Sequence, residues 1–312
     1  MFSMVEDVLE HQKKYDDISK EGFAIRLIGL YGKSGMFEHA QKMFDELPEL
    51  HCQRTVASFN ALLKAGVESK KFDEVFEIFK ELPPKVSIEP DLVSYNIIIN
   101  AFCEKGSLDD ALSMFHELEN NGKVPDRVTF NTVLNALYRN GQFSEGERIW
   151  AMMESKNVIP DVRSYNPRLR GMILHGKLSE AAQLIDEMES KEISPDVFTY
   201  NGLIKGFSDG GNLVGAKKWY GELQKNKCTP DLVTYELLIP LCSEAGDLDK
   251  AFELCLEAIN HRVRLSAVVF KRVVDELVKQ DKTEEASELV ALVNSAKFLK
   301  YKLDLTKLPV VN

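Results

Sequence analysis

Residues 92–126 read LVSYNIIINAFCEKGSLDDALSMFHELENNGKVPD, and residues 127–161 read RVTFNTVLNALYRNGQFSEGERIWAMMESKNVIPD. The two stretches align without a gap. Each carries a Ser or Thr, an aromatic residue and an Asn at its third to fifth positions, a Gly near its middle, and a closing Pro-Asp. Self-similarity at a period of 35 residues is typical of a solenoid built from one repeated supersecondary unit.

The same pattern extends in both directions from this pair. One unit, 56–91, is a residue longer than the others, and the last unit fits only loosely. The predicted motifs are 21–55, 56–91, 92–126, 127–161, 162–196, 197–231, 232–266 and 267–301.

Each motif predicts a helical hairpin. Apolar residues at helical spacing follow the aromatic residue, and a Gly then suits a left-handed helix end because it has no Cβ. A second amphipathic segment follows, with a small residue where neighbouring helices would pack. The Gly positions are Gly35, Gly106, Gly141, Gly176, Gly211 and Gly246, and the small residues include Ala40, Ala111, Gly146, Ala181, Ala216, Ala251 and Ala286.

Polar residues recur at two fixed points of the motif, the fifth position and the last. Such residues are not required to fill a core, so they are the first candidates for ligand contact. The fifth residues are Asn60, Asn96, Asn131, Asn166 and Asn201, and the last residues are Asp91, Asp126, Asp161, Asp196 and Asp231.

The composition limits the classes of function. A net charge of −10 argues against a protein that holds nucleic acid by bulk basicity, although it leaves room for a narrow basic stripe. No apolar run approaches the roughly 20 residues needed to span a bilayer. The five Cys are scattered without metal-ligand spacing, which favours reduced structural thiols and predicts no metal site.

The two ends depart from the repeat. Residues 1–20 lack the basic and apolar regions of a signal peptide and predict the second helix of a repeat whose first helix is missing. A targeting segment is expected to precede them. Residues 302–312 are predicted to be a C-terminal tail.

These residues resemble the pentatricopeptide repeat family, in its P-type form that is typical of plant organelles. The resemblance rests on the string of an aliphatic residue, Ser or Thr, an aromatic residue and Asn, together with the Gly and the Pro-Asp, over about 21–301. The tetratricopeptide repeat differs in its 34-residue period and its signature. The resemblance implies an all-α, right-handed superhelical solenoid of 35-residue helix-turn-helix repeats.

The resemblance also implies RNA contacts, in which each repeat reads one base with a few side chains. The edge-reading pairs would be Asn60/Asp91, Asn96/Asp126, Asn131/Asp161, Asn166/Asp196 and Asn201/Asp231. In the family an Asn/Asp pair is associated with uracil, so five pairs imply a uridine-rich single strand. Base-stacking residues would be Ala57, Val93, Val128, Arg163 and Phe198.

Two departures from the family pattern affect this prediction. Motif 21–55 offers Ile25 and Thr55, motif 232–266 offers Glu236 and Ser266, and motif 267–301 offers Lys271 and Tyr301. At the thirteenth position, where the family often carries a phosphate-binding Lys, only Lys33, Arg139 and Lys279 are cationic. Glu68, Glu104, Asp209 and Glu244 would repel phosphate. The predicted phosphate contacts within the RNA-binding region are therefore Lys33 and Arg139.

Two functions remain open, and both are non-catalytic. The sequence slightly favours a structural subunit of the mitochondrial ribosome, in its small subunit, that contacts rRNA and ribosomal proteins. The alternative is a free protein that binds a uridine-rich organellar transcript for processing, stability or translation. Either implies an organelle, with the mitochondrion favoured over the chloroplast.

An enzyme is the third hypothesis, and the sequence disfavours it. The H-x-E and P-C-x-x-C strings of a zinc deaminase do not occur, and no Gly-rich phosphate loop is present. No cofactor, small-molecule substrate or membrane contact is expected.

Overall fold

The computed structural model describes residues 2–303 of the chain. Over that range it contains seventeen α-helices and one short 3-10 helix, Asp16–Ser19. The α-helices are α1 Phe2–Gln12, α2 Glu21–Lys33, α3 Phe37–Glu46, α4 Val56–Glu68, α5 Phe72–Val86, α6 Leu92–Lys105, α7 Leu108–Asn120, α8 Arg127–Arg139, α9 Phe143–Ser155, α10 Val162–Leu174, α11 Leu178–Ser190, α12 Val197–Asp209, α13 Leu213–Lys225, α14 Leu232–Glu244, α15 Leu248–Asn260, α16 Ala267–Lys279 and α17 Thr283–Ser295.

The helices fall into two compact units, 1–160 and 161–312. In the first unit the even-numbered helices, which open the motifs, pack against one another in order, and each also packs against the helix that follows it. The second unit repeats this arrangement with α10, α12, α14 and α16 as its first helices. The all-α class and the repeated helical hairpin predicted from the sequence are confirmed. The part of the predicted tail from residue 304 onward lies outside the described residues.

The core of each unit is built from the positions that the alignment singled out. The aromatic residues at the fourth position are at most 5% exposed, from Phe59 to Phe270, and burying one such ring stabilises the fold by roughly 1.5–3 kcal/mol. The small residues of the second helices are also buried. A Cβ on Gly146 would lie 2.6 Å from the Tyr138 ring, which shows how closely the two helices of a hairpin approach.

Left-handed residues end the helices, as the sequence predicted. Gly35, Gly106, Gly141, Gly176, Gly211 and Gly246 all have positive φ angles, between 66° and 85°. Lys70 and Asp281 occupy the same place in the two motifs that lack the Gly, and each has a φ of 58°. No helix among residues 2–303 is long and apolar enough to cross a membrane.

Candidate RNA-binding face

The closing Asp of each motif caps the first helix of the next motif. Asp91, Asp126, Asp161, Asp196 and Asp231 have extended backbones and accept the backbone N–H of the third helical residue at 2.9–3.1 Å. The hydroxyl of that third residue accepts the N–H of the Asp in return, which completes a capping box. The Asp therefore belongs to the fold whether or not RNA is bound.

The fifth-position Asn joins one motif to the next. The Nδ2 of Asn60 donates to Asp91 Oδ1 at 3.0 Å, and Asn201 donates to Asp231 at 2.9 Å. Asn166 makes the same bond to Asp196 at 3.1 Å, and Asn96 makes a longer one to Asp126 at 3.4 Å. Asn131 and Asp161 lie in different units; Asn131 is half-buried on α8, and Asp161 caps α10.

These bonds were not expected from the sequence. The polar positions were interpreted as free for a ligand, but Asn201 is only 6% exposed and its side chain is bonded within the protein. A signal was present in the sequence, because Asp followed three residues later by Ser or Thr at the start of an apolar helix is an N-terminal capping pattern.

The bonded pairs still present polar groups to a ligand. An amide nitrogen carries two hydrogens, and the Asn donates one of them to the Asp. The printed bonds of the four pairs that lie within one unit all use Oδ1 of the Asp, so Oδ2 has further accepting capacity. A pair of this kind offers one N–H donor beside one carboxylate acceptor, which is the pattern that a base edge requires.

The capping network changes the protonation of one carboxylate clearly. Burial by itself would raise the pKa of Asp91, but hydrogen bonds from the Ser94 backbone and the Asn60 amide outweigh it and lower the pKa below its ordinary value. Asp91 is therefore ionised at neutral pH, as the acceptor role requires.

A row of exposed side chains runs along the first helices at the second position of the motif. Val93, Val128 and Phe198 are 52–69% exposed, and Ala57 and Arg163 are also exposed. Val233 and Val268 continue the row, although the sequence analysis did not include them because their motifs lack Asn. Exposed apolar side chains at regular spacing suit the faces of unstacked bases.

The thirteenth positions are exposed on the same helices, and their charges are partly neutralised. Lys33 and Arg139 are exposed, as a phosphate contact requires. Asp209 pairs with Lys205 at 3.0 Å, and Glu244 pairs with Arg272 at 2.8 Å.

Cations at the ninth position were missed by the sequence analysis. Residues nine and thirteen of a motif lie one helical turn apart on one face, so either can reach the same phosphate. The alignment alone could have identified them: Lys64, Arg170 and Lys205, all exposed.

The outer motifs use their fifth and last positions differently. Thr55 caps α4 and donates its hydroxyl to Glu21 at 2.6 Å, and Tyr301 donates its hydroxyl to the Leu265 carbonyl. Glu236 and Lys271 are exposed without a printed partner of the Asn type. Their chemistry differs from that of the Asn/Asp motifs.

The described residues show no arrangement for metal chemistry. Within 2–303 no group of three or more His, Cys, Asp and Glu side chains is placed to hold a metal ion. The five Cys are free thiols, and four of them are buried.

Comparison with known families identifies the repeats. The model described as the PPR repeat family matches residues 90–137, 125–173 and 160–209, the pentatricopeptide repeat domain matches 42–105, and the PPR repeat matches 26–52 and 198–228. Together these matches run without a break from residue 26 to residue 228.

Similar proteins are found in Arabidopsis thaliana. The chain is 63% identical over 118 residues to a pentatricopeptide repeat-containing protein, and 62% and 60% identical over 118 and 121 residues to small ribosomal subunit proteins mS78 and mS79. It is 39% identical over 122 residues to a pentatricopeptide repeat-containing protein named as mitochondrial. These alignments cover 38–39% of this chain and 21–31% of the relatives. The chain thus spans less than a third of the relatives that it matches.

Solved structures share the fold. The pentatricopeptide repeat protein PPR10 from maize superposes with a TM-score of 0.60 at 22% identity, over 94% of this chain and 47% of PPR10. PPR10 in complex with an 18-nucleotide psaJ RNA element superposes with a TM-score of 0.54 at 22% identity, over 94% of this chain and 48% of that one. With the family matches and the repeated Asn and Pro-Asp on helical hairpins, these likenesses show that the chain belongs to the pentatricopeptide repeat family.

Proposed function

We propose that this chain is a non-catalytic RNA-binding scaffold and a structural subunit of the mitochondrial small ribosomal subunit, contacting rRNA and ribosomal proteins. The observation that carries the ribosomal assignment is the 60–62% identity to proteins named small ribosomal subunit proteins mS78 and mS79. The mitochondrion is favoured because another relative is named as mitochondrial.

The geometry supports RNA contact by the first helices. Exposed second-position side chains supply stacking surfaces, and the adjacent Asn/Asp pairs supply a donor and an acceptor for base edges. Base stacking is worth about 1–3 kcal/mol per base, so several motifs together can hold a single strand. We propose that Asn131 and Asp161 act in the same way as the other four pairs.

The charge distribution supports a subunit rather than an independent RNA binder. Phosphate contacts dominate the affinity of proteins for nucleic acids, and the chain carries a net charge of −10. Lys33, Lys64, Arg139 and Arg170 give an incomplete track of exposed cations. A scaffold that ribosomal proteins also hold in place needs little RNA affinity of its own.

The second candidate function is a free protein that binds a uridine-rich organellar transcript. The observation that favours it is the series of five identical Asn/Asp pairs, because a row of identical readers suits a homopolymeric stretch. Neither candidate needs a cofactor or a chemical step.

Crosslinking in organelles distinguishes the two. Ultraviolet crosslinking of the tagged full-length protein is expected to recover small-subunit rRNA, whereas recovery of one uridine-rich messenger without rRNA would contradict the ribosomal proposal. The double substitution Val128→Glu and Phe198→Glu should abolish the crosslinks, since it places carboxylates in the stacking row. Val214→Glu is the matched control, because Val214 is 81% exposed on the second helix α13. Loss of crosslinks in that control as well would argue against the proposed face.

A further inference from the structure

The third residue of each first helix makes a bond that capping does not require. Ser94, Thr129, Thr199 and Thr234 are fully buried, and each donates its hydroxyl to the Oδ1 of the Asn in the preceding motif at 2.6–2.7 Å. The same hydroxyl lies 2.9–3.0 Å from the capping Asp oxygen. Each Asn amide is therefore held from two sides, at its oxygen by the hydroxyl and at its nitrogen by the carboxylate.

This arrangement fixes which end of the amide each partner faces. If the amide rotated by half a turn, its NH₂ group would face the hydroxyl hydrogen and its oxygen would face the carboxylate. Both contacts would then be repulsive. The amide consequently presents its second N–H, and not its carbonyl, beside the Asp acceptor.

The first motif boundary provides an internal comparison. Ile25 occupies the fifth position of motif 21–55, so the hydroxyl of Ser58 has no amide to bind and donates to the Thr55 carbonyl at 3.0 Å. The capping box of α4 nevertheless forms. Capping and amide orientation are therefore separable functions of the same hydroxyl.

The opposite case occurs near the C-terminal end of the array. Val269 replaces the hydroxyl residue at the third position, and the preceding fifth residue is Glu236, which is exposed. Among the described motifs, a fifth-position Asn is always followed by a Ser or Thr in the next helix.

We propose that Ser94, Thr129, Thr199 and Thr234 are positioning residues for base selection, and that their hydroxyls make the Asn/Asp pairs prefer uracil to cytosine. This inference rests on the proposed RNA-binding function. Uracil carries one imide N–H between two carbonyl oxygens, so it meets a donor beside an acceptor in either order along its edge. Cytosine meets that pattern in one order only.

Removal of the hydroxyl releases the amide. A rotated amide would present its carbonyl beside the carboxylate, and two adjacent acceptors suit the amino group of cytosine. The preference for uracil should then decrease, even where the helix cap survives through the Asp and the backbone.

The test compares two double variants of the full chain, Thr129→Val with Thr199→Val, and Thr129→Ser with Thr199→Ser. The probes are oligouridine and oligocytidine of equal length, and the quantity measured is the ratio of their dissociation constants. We expect the Val variant to lose about fivefold of the uracil preference per site, and the Ser variant to keep the wild-type ratio. Thermal melting reports stability separately.

The outcomes are distinct. A Val variant that melts earlier but keeps the wild-type ratio would show a purely structural hydroxyl and overturn the inference. Equal binding of both oligomers by the wild type would overturn it while leaving RNA binding intact. Binding of neither oligomer by the wild type would overturn the proposed recognition of RNA and this inference with it. If the double Val variant fails to fold, Thr129→Val and Thr199→Val are measured singly, against the same prediction per site.

Discussion

Asn201 is held by the protein at the position where the family pattern places a base reader. Its amide bonds both Asp231 and Thr234 across the boundary between two motifs. A buried amide that loses such partners costs about 1–3 kcal/mol, so the residue contributes to stability independently of RNA. Substitution of these Asn residues therefore changes both stability and binding, and the two must be measured separately.

Loss of one capping carboxylate should destabilise the array measurably. Asp231→Ala removes the cap of α14 and one partner of the buried Asn201, so we expect a loss of about 2 kcal/mol in the free energy of unfolding. Denaturant unfolding of the purified protein measures it. Asp209→Ala is the control, because Asp209 is exposed and pairs only with Lys205, and its loss should cost less than about 1 kcal/mol. Equal effects would contradict the capping role.

Acid should weaken the protein partly through Asp91. Because the folded pKa lies below the ordinary value of 3.8, this carboxylate contributes stability that is present above the unfolded pKa and is lost as pH falls through the folded pKa. Asp91→Asn keeps a competent cap but removes the titrating group, so its unfolding free energy should fall less steeply with acid below about pH 5. Identical slopes for the two proteins would argue against the lowered pKa.

At the scale of the element, the helix ends explain why the sequence was so informative. The Gly that ends each first helix has a positive φ, and the Asp that begins the next helix has an extended backbone. Both requirements are local, so they leave a readable mark in the sequence. The aromatic and small core positions follow helical periodicity for the same reason.

Features that depend on contacts between motifs were harder to predict. The bond from Asn60 to Asp91 joins residues 31 apart, and periodicity alone does not show which polar side chains meet. The ninth-position cations were missed because the family pattern directed attention to position thirteen. The division of the chain at 160/161 has no mark in the repeat, since motif 127–161 is regular in sequence.

The motif that lacks its Gly offers a stabilising substitution. Lys70 has a φ of 58° at the place where six other motifs have Gly, and a side chain in the left-handed region costs about 1 kcal/mol. Lys70→Gly should therefore raise the melting temperature, and Gly106→Ala should lower it. A calorimetric scan of both variants measures this. A lower melting temperature for Lys70→Gly would show that its side chain contributes more than the strain removes.

At the scale of the whole molecule, charge governs how the chain can hold RNA. Glu104 and Asp209 are exposed at the thirteenth position of two Asn-bearing motifs, where a carboxylate opposes phosphate. The scaffold proposal accommodates these carboxylates because other ribosomal proteins share the binding.

Charge reversal at these sites should strengthen RNA binding. We expect Glu104→Lys with Asp209→Lys to bind oligouridine more tightly and to steepen the dependence of log affinity on log salt by about 0.7 for each added phosphate contact. Filter binding over a range of salt concentrations measures both effects. Glu189→Lys is the control, because Glu189 is exposed on the second helix α11, and a similar gain in that variant would indicate non-specific attraction.

The central claim is that this chain acts as a structural subunit of the mitochondrial small ribosomal subunit. The most direct measurement is sedimentation of the native protein from a mitochondrial extract, with and without magnesium chelation. The account predicts co-migration with the small ribosomal subunit that is lost when chelation dissociates the particle. A light peak that is free of ribosomal proteins and sensitive to ribonuclease would contradict it and favour a free binder of uridine-rich transcripts.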